Sequence, residues 1–128
     1  DNVTVVRENA RLEKTDEKLQ ELLERWENIS VTDTSQWSNQ GVMFTRQLRN
    51  MIELARVITL GALNRNESRG AHYKPEFPER DDENFLKTTI ATFDKEKDEP
   101  VITYEDVDVS LIPPRKRDYT TTSEGSKK

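Results

Sequence analysis

The chain of 128 residues contains no cysteine, only four glycines and a single histidine. Without cysteine it can form no disulfide, no thiolate nucleophile and no cysteine-ligated metal centre, so redox chemistry must be carried elsewhere. The dinucleotide-binding pattern G-x-G-x-x-G does not occur. No run approaches the roughly 18 consecutive apolar residues of a membrane span, and the first residues lack the basic and apolar regions of a secretory signal. We therefore expect a chain that neither enters a bilayer nor directs secretion.

Apolar residues are also sparse, and acidic residues outnumber basic ones by 25 to 20. Apolar residues make up 32% of the chain and charged residues 35%, with a formal net charge of -5 and a mean hydropathy of -0.94. The acidic excess argues against nucleic acid as the main partner, because phosphate binding needs a basic face. The composition predicts one domain with a thin core.

Two amphipathic patterns predict two helices that pack antiparallel. The longer pattern runs from about Gln40 to about Asn66, with Ser35 or Ser38 as its N-cap, and the shorter one runs from about Arg11 to Asn28. We interpret the two methionines and the phenylalanine of the longer helix as core residues rather than a cofactor site. The apolar residues that recur on one face of this helix are Phe44, Leu48, Met51, Ile52, Ala55, Ile58 and Ala62. Met43 directly precedes this set.

Outside the helices the pattern changes to that of extended structure. Residues 85–93 and 101–109 alternate apolar and polar side chains across a charged connection, which predicts a β-hairpin. The apolar residues among positions 3–6 have no capping signal before them, so we interpret them as the end of a helix that begins upstream. The predicted fold class is mainly α: an antiparallel helical bundle with a truncated first helix, then a C-terminal β-hairpin and a disordered tail.

This interpretation divides the chain into three parts. Residues 1–68 form part of a helical bundle. Residues 69–119 form a loop, the hairpin and a docking tail of the same domain, and residues 120–128 form the disordered tail.

The densest chemical group lies at the end of the longer helix, where the only histidine follows two arginines and a carboxylate. His72 beside Glu67 could serve as a general base, and Arg65 with Arg69 could hold a dicarboxylate. The spacing alone favours a structural hydrogen bond for His72 near a helix C-terminus. Metal binding is disfavoured because Glu67 and His72 lie five residues apart across a helix end, with no other strong ligand nearby.

Two further clusters carry charge of a single sign. Asp81–Glu83 lacks the alternating ligands and central glycine of an EF-hand, so a solvated or ion-paired loop is predicted. Arg115–Arg117 precedes Tyr119 and is a small basic patch on an acidic chain, which favours docking to an acidic protein surface.

Two sequence runs and the order of the elements resemble a known family. Residues 66–73 read Asn-Glu-Ser-Arg-Gly-Ala-His-Tyr, residues 77–85 read Phe-Pro-Glu-Arg-Asp-Asp-Glu-Asn-Phe, and residues 114–119 read Pro-Arg-Lys-Arg-Asp-Tyr. Together they resemble the C-terminal helical domain of the succinate dehydrogenase and fumarate reductase flavoprotein subunits. The sequences of the linker and tail are most similar to those of the Bacillus-type succinate:menaquinone enzyme.

The resemblance implies a function for a complete subunit. That subunit would oxidise succinate to fumarate and pass electrons through FAD to an iron–sulfur subunit, then to a membrane anchor. It would lie peripherally at the cytoplasmic face of a bacterial plasma membrane. The residues that bind flavin and dicarboxylate belong to other domains in this family, so the chain alone is expected to bind no FAD and no metal, to be inactive, and to act as a scaffold.

The resemblance also implies contacts with the flavin-binding domain of the same subunit and with the iron–sulfur subunit. We expect Arg69 to reach outward to such a partner with its planar guanidinium, so that its loss costs the chain itself little stability. Two alternatives stay open: an independent helical adaptor that binds a protein through the longer helix, and a small enzyme that uses His72, Glu67 and Arg69. The residues predicted to make inter-domain contacts are Arg65, Glu67, Ser68, Arg69, Gly70, His72, Arg80, Arg115, Arg117 and Tyr119.

Overall fold

The computed structural model describes residues 2–115, which form two long helices, one short helical turn and a hairpin. The elements are α1 (Asn9–Trp26), α2 (Gln40–Asn64), α3 (Asp82–Phe85), β1 (Lys87–Asp94) and β2 (Glu99–Asp106). The predicted helices and hairpin are confirmed, with bounds shifted by about two residues. The predicted tail at 120–128 and the contact residues Arg117 and Tyr119 lie outside the described residues.

The two long helices are antiparallel, because the start of each lies beside the end of the other. At one end the indole Nε1 of Trp26 donates to the carbonyl oxygen of Thr45 at 2.7 Å. Near the middle of α2, Arg56 Nε donates to Asp16 Oδ1 at 2.9 Å, and both residues are buried. A buried ion pair therefore joins the helices where a sequence reading expects only apolar contacts.

The start of α2 differs from the prediction. The N-cap is Asn39, whose side-chain oxygen accepts from the backbone N of Val42 at 3.1 Å, and not Ser35 or Ser38. The backbone of Ser38 has a φ of 56°, outside the extended conformation that an N-cap needs. The amide nitrogen of Asn39 also donates to the carbonyl oxygens of Asp33 and Ser35, so one side chain fixes both the helix start and the preceding loop.

The hairpin has a simple antiparallel register and lies against α2. Lys87 pairs with Asp106 at the open end, and Asp94 pairs with Glu99 at the turn. The Asp94 carboxylate accepts from the backbone N of Glu96 at 2.9 Å, which holds the turn.

Before α1, residues 2–5 form turns and bends and Val6 forms an isolated β-bridge, so the expectation that these residues end an upstream helix is wrong. Val6 forms a parallel bridge with Tyr73, in which Arg7 N donates to Tyr73 O at 2.8 Å and Tyr73 N donates to Val5 O at 3.0 Å. The β-branched side chain of Val6 fits the backbone of this bridge better than that of a helix.

The interior of residues 2–115 is more polar than apolar. The buried apolar residues are Leu12, Ile52 and Ala62, and the buried polar ones are Asp16, Arg56, Thr59, Glu67, His72 and Lys74. On α2, the face that carries Ile52, Arg56 and Thr59 is the covered one.

An apolar face of α2 is left uncovered by the rest of the chain. Phe44, Met51 and Ile58 are seven residues apart, close to two full turns, and are 60%, 64% and 57% exposed. We call these three residues the α2 stripe. The expectation that Met43, Phe44 and Met51 belong to the core is therefore wrong within this chain, because α1 and the hairpin cover other sides of the helix. In the part of the chain that the structure describes, no helix has the length and apolarity to cross a bilayer.

Candidate functional site

The side chains that follow α2 meet around one buried carboxylate. Glu67 is fully buried and accepts hydrogen bonds from Arg65 Nη1 at 2.6 Å, Arg69 Nε at 2.8 Å, Arg69 Nη2 at 2.9 Å and the backbone N of Asp81 at 3.0 Å. Burial raises the pKa of Glu67, but the hydrogen bonds donated by Arg69, Asp81 and Arg65 outweigh it and hold the pKa below its ordinary value. The carboxylate is therefore ionised although it is buried.

Arg65 connects this carboxylate to the hairpin. Its guanidinium donates to the carbonyl oxygens of Phe85 and Lys87, both at 2.8 Å, and to the Thr89 hydroxyl at 3.0 Å. It also lies over the rings of Phe85 and Tyr104, at 5.6 and 5.7 Å from their centroids. One arginine thus links the end of α2 to α3 and β1.

Arg69 turns inward, which corrects the expectation that it reaches out of the chain. Besides its two bonds to Glu67, its Nη2 donates to Asp82 Oδ1 at 2.7 Å. Arg80 donates to the other oxygen of Asp82 at 2.7 Å and to the carbonyl oxygen of Arg115 at 2.8 Å. Asp82 of the acidic run is therefore ion-paired, as predicted, but the run is not a loop, because Asp81 caps α3 and Asp82 and Glu83 are its first residues.

Ser68 and Gly70 shape the backbone of the same loop. The Ser68 hydroxyl donates to Phe77 O at 2.7 Å and accepts from Lys74 N at 3.0 Å. Gly70 has a φ of 59° in a tight turn where Arg69 and His72 exchange two backbone hydrogen bonds. A Cβ at Gly70 would meet nothing within 4 Å, so the turn requires glycine for its backbone angle and not for space.

Both ring nitrogens of His72 are engaged, and the ring is buried. Nε2 lies 3.0 Å from the carbonyl oxygen of Arg65, and because a carbonyl only accepts, Nε2 carries the proton. Nδ1 then accepts from Arg7 Nη1 at 2.6 Å. Burial lowers the pKa of His72, and the nearby charges of Arg7 and Lys74 lower it further against the opposing hydrogen bond to Arg65. The structural interpretation of His72 is therefore favoured over a general base.

Lys74 is a second buried charge, and the sequence gives no sign of it. Its Nζ donates to Leu63 O at 2.8 Å and to Asn66 Oδ1 at 2.9 Å, and it lies 5.9 Å from the ring centroid of Phe77. Burial lowers its pKa. The cation sits at the C-terminal end of α2, where it satisfies a terminal carbonyl and complements the helix dipole.

We call Arg65, Glu67, Arg69, His72, Lys74 and Asp82 the motif cluster. Its charged groups bind each other and the backbone, so the arrangement fixes the path of residues 65–87 instead of presenting an acid or base to a substrate. Among residues 2–115 there is no group of three or more metal-ligating side chains.

Comparisons with known proteins agree with this arrangement of elements. A family model described as "Fumarate reductase flavoprotein C-term" matches residues 1–119. The succinate dehydrogenase flavoprotein subunit of Bacillus subtilis is 65% identical over 119 residues, which cover 93% of this chain and 20% of that protein. The fumarate reductase flavoprotein subunit of Haemophilus influenzae is 38% identical over 120 residues, 94% of this chain and 20% of that protein.

A solved structure shows the same fold. The structure of E. coli quinol fumarate reductase superposes with a TM-score of 0.82 and 37% identity, over 88% of this chain and 19% of that one. The chain thus spans about a fifth of the length of the relatives it matches.

Proposed function

This chain belongs to the fumarate reductase flavoprotein C-terminal family, and on that basis we propose that it is the non-catalytic scaffold domain of a subunit that oxidises succinate to fumarate. FAD in the complete subunit supplies the redox chemistry, and electrons pass to an iron–sulfur subunit. The names of the relatives, succinate dehydrogenase and fumarate reductase flavoprotein subunits, support this reaction class. The chain itself contributes no flavin-binding glycine pattern.

The observation that carries the scaffold role is the α2 stripe. Three large apolar side chains on one helix face are more than half exposed, while the polar groups at the end of the same helix are already paired within the chain. Burying such a side chain fully stabilises a contact by about 1.5–3 kcal/mol. The stripe is therefore the surface through which this domain would pack on the rest of its subunit.

The groove beside the stripe extends this surface. It is an open depression of about 430 Å³ between α2 and the hairpin, lined on its apolar side by Leu54, Val57, Ala91 and Phe93. Leu54 is 63% exposed and Phe93 48% exposed. Apolar surface continuous across a helix and a strand is typical of a protein contact site.

The predicted contact residues divide by their exposure. Glu67 and His72 are buried, so we propose that they contribute indirectly, by fixing the backbone that carries the exposed contact residues. Arg69 and Arg80 keep 27% of their side-chain surface exposed, so they remain candidates for direct contact with the flavin-binding domain or the iron–sulfur subunit. Arg115 is exposed and joins them in this role.

We place the complete subunit peripherally, at the cytoplasmic face of a bacterial membrane, with the iron–sulfur and anchor subunits between it and the bilayer. The bacterial origin of the relatives supports the bacterial part of this proposal.

The test uses the complete subunit carrying Phe44→Gln, Met51→Gln and Ile58→Gln. We expect flavin content, co-purification of the iron–sulfur subunit and succinate oxidation to fall together, because the domain no longer packs on its neighbour. A control with Glu13→Gln and Glu17→Gln on the exposed side of α1 should behave as wild type. Unchanged assembly of the stripe variant would contradict the scaffold role.

The two alternatives have less support. An independent adaptor would use the same stripe, but the family match over residues 1–119 favours a domain of a larger subunit. A small enzyme built on His72, Glu67 and Arg69 is disfavoured because the ring nitrogens and the carboxylate are engaged.

A further inference from the structure

The segment before α1 is held to the loop after α2 by few contacts. Two backbone hydrogen bonds join Val5 and Arg7 to Tyr73. Val5 and Val6 are 55% and 48% exposed, so little apolar burial adds to the junction. The attachment of this segment therefore depends strongly on any side chain that bridges it.

Arg7 and His72 form that bridge. Arg7 Nη1 donates to His72 Nδ1 at 2.6 Å, while Arg7 Nε donates to the carbonyl oxygen of Thr4 at 2.7 Å. The guanidinium thus holds the backbone of its own segment and the ring of the loop at once. The ring is oriented by its other nitrogen, which donates to Arg65 O.

The charged groups that face His72 would all oppose a second proton on the ring. They are Arg7 from the first segment, Arg65 from the end of α2 and Lys74 from the loop, and all three are cations. The carboxylates close to this region are committed elsewhere: Glu67 accepts from Arg65 and Arg69, and Glu76 accepts from the backbone N of Asn9 at 2.8 Å. Protonation of Nδ1 would remove the acceptor of Arg7 and place a cation directly against its guanidinium.

We propose that His72 is a proton-operated latch, which holds residues 3–7 against Tyr73 while its ring is neutral and releases them when the ring is protonated. The long helices stay packed in the released state, because Asp16–Arg56 and the contacts of Asn9 with Glu76 and Asn66 do not involve the ring.

The direction of the pH dependence follows from the geometry. Burial among cations lowers the pKa of His72 below its ordinary value of 6.5. The closed state therefore binds the proton less readily than the open state, so the latch is closed above about pH 6.5 and opens as the pH falls. Between the pKa of the open state and that of the closed state, each pH unit changes the ratio of closed to open molecules by about tenfold.

The test follows hydrogen exchange at the backbone amides of Arg7 and Tyr73. These amides donate the two backbone hydrogen bonds between the first segment and the loop after α2. The protection factors, corrected for the intrinsic exchange rate, are measured from pH 7.5 to 5.0 and compared with the titration of the imidazole. The assignment is unambiguous because the chain has one histidine. We expect protection at both amides to fall as the pH decreases below about 6.5, by at most about tenfold per pH unit, while the amides of α2 keep theirs.

His72→Asn provides the control, because its side chain can accept from Arg7 but does not titrate in this range. Its Arg7 and Tyr73 amides should show protection independent of pH. Constant protection in the wild type through the imidazole titration, equal pH dependence in His72→Asn, or a parallel loss throughout α2 would each overturn the latch. The same pH series is measured on the complete subunit, by hydrogen exchange of peptides that cover residues 3–9 and 70–75. The latch is then tested even if the 128-residue chain does not fold by itself.

Discussion

At the scale of single residues, the molecule places ionised groups where most domains place apolar ones. Glu67 and Lys74 are fully buried, and Asp16 and Arg56 nearly so. Charged side chains are almost never buried unless they are paired, and each of these four has direct partners. The cost of removing a single partner is therefore large, because it leaves an uncompensated charge inside the protein.

Arg69→Ala is expected to lower the free energy of unfolding of the 128-residue chain by about 3 kcal/mol, since Glu67 would lose two of its four donors. This reverses the expectation from sequence that the substitution would matter little in the chain itself. Arg80→Ala is the matched control, because it pairs with the partly exposed Asp82 and should cost less than about 1 kcal/mol. Urea denaturation followed by circular dichroism measures both, and equal losses would contradict the burial argument.

Acid should destabilise the chain partly through Glu67. The folded state holds the pKa of Glu67 below its ordinary value of 4.5, so the unfolded state takes up the proton first. The free energy of unfolding therefore decreases as the pH falls below about 4.5, down to the lower folded-state pKa. Glu67→Gln should show a flatter dependence of stability on pH in this window, and Glu13→Gln, at an exposed site, the wild-type dependence. Identical slopes for both variants would exclude this contribution.

At the scale of elements, the sequence predicts what depends on local pattern. The three- and four-residue spacing of apolar side chains gives α2 almost to its last residue, and the alternation of residues 85–109 gives the hairpin. The Asp16–Arg56 pair and the inward course of Arg69 could not be predicted, because they join residues distant in sequence or depend on a carboxylate placed by the fold. The Val6–Tyr73 bridge likewise depends on where the loop after α2 turns.

The ion pair between the long helices permits a double-variant test. Arg56→Met alone leaves the Asp16 carboxylate buried beside Gln20 without its cation, and should lower the free energy of unfolding by about 3–5 kcal/mol. Asp16→Leu combined with Arg56→Met replaces both charges with apolar groups and should regain most of that loss. Thermal and chemical denaturation of the single and double variants measure the difference. If the double variant is no more stable than Arg56→Met, the unpaired Asp16 carboxylate is not the cause of the loss and the prediction is wrong.

At the scale of the whole molecule, the apolar residues of α2 lie on two sides of the helix that differ in exposure. One side, with Ile52, is covered within the chain, and the other, the α2 stripe, is not. Periodicity identifies apolar positions but not the surface that covers each one, which is why it wrongly predicts Phe44 and Met51 as core residues of this chain. The same limit applies to the candidate site. Its residues can be recognised in the sequence, but their hydrogen-bond partners cannot.

Replacing the stripe by Phe44→Gln, Met51→Gln and Ile58→Gln should change the stability of the chain by less than about 0.5 kcal/mol per substitution, because the side chains are mostly exposed. Binding of a hydrophobic dye and concentration-dependent self-association should decrease. Ile52→Gln on the buried face of the same helix is the control, and it should destabilise the chain strongly. Comparable destabilisation by the stripe variant would show that the stripe belongs to the chain's own core.

The polar interior described above also sets how this molecule responds to temperature. Exposure of apolar surface raises the heat capacity on unfolding and exposure of polar surface lowers it, so a core built around Glu67, Lys74 and Asp16–Arg56 should give an increment below the usual ~12–15 cal/mol/K per residue. Stability then varies over a shallow curve, and the cost of dehydrating the charges falls on warming. Calorimetry should find a small increase in heat capacity across the transition, and the resulting weak curvature means that cooling should destabilise the protein little.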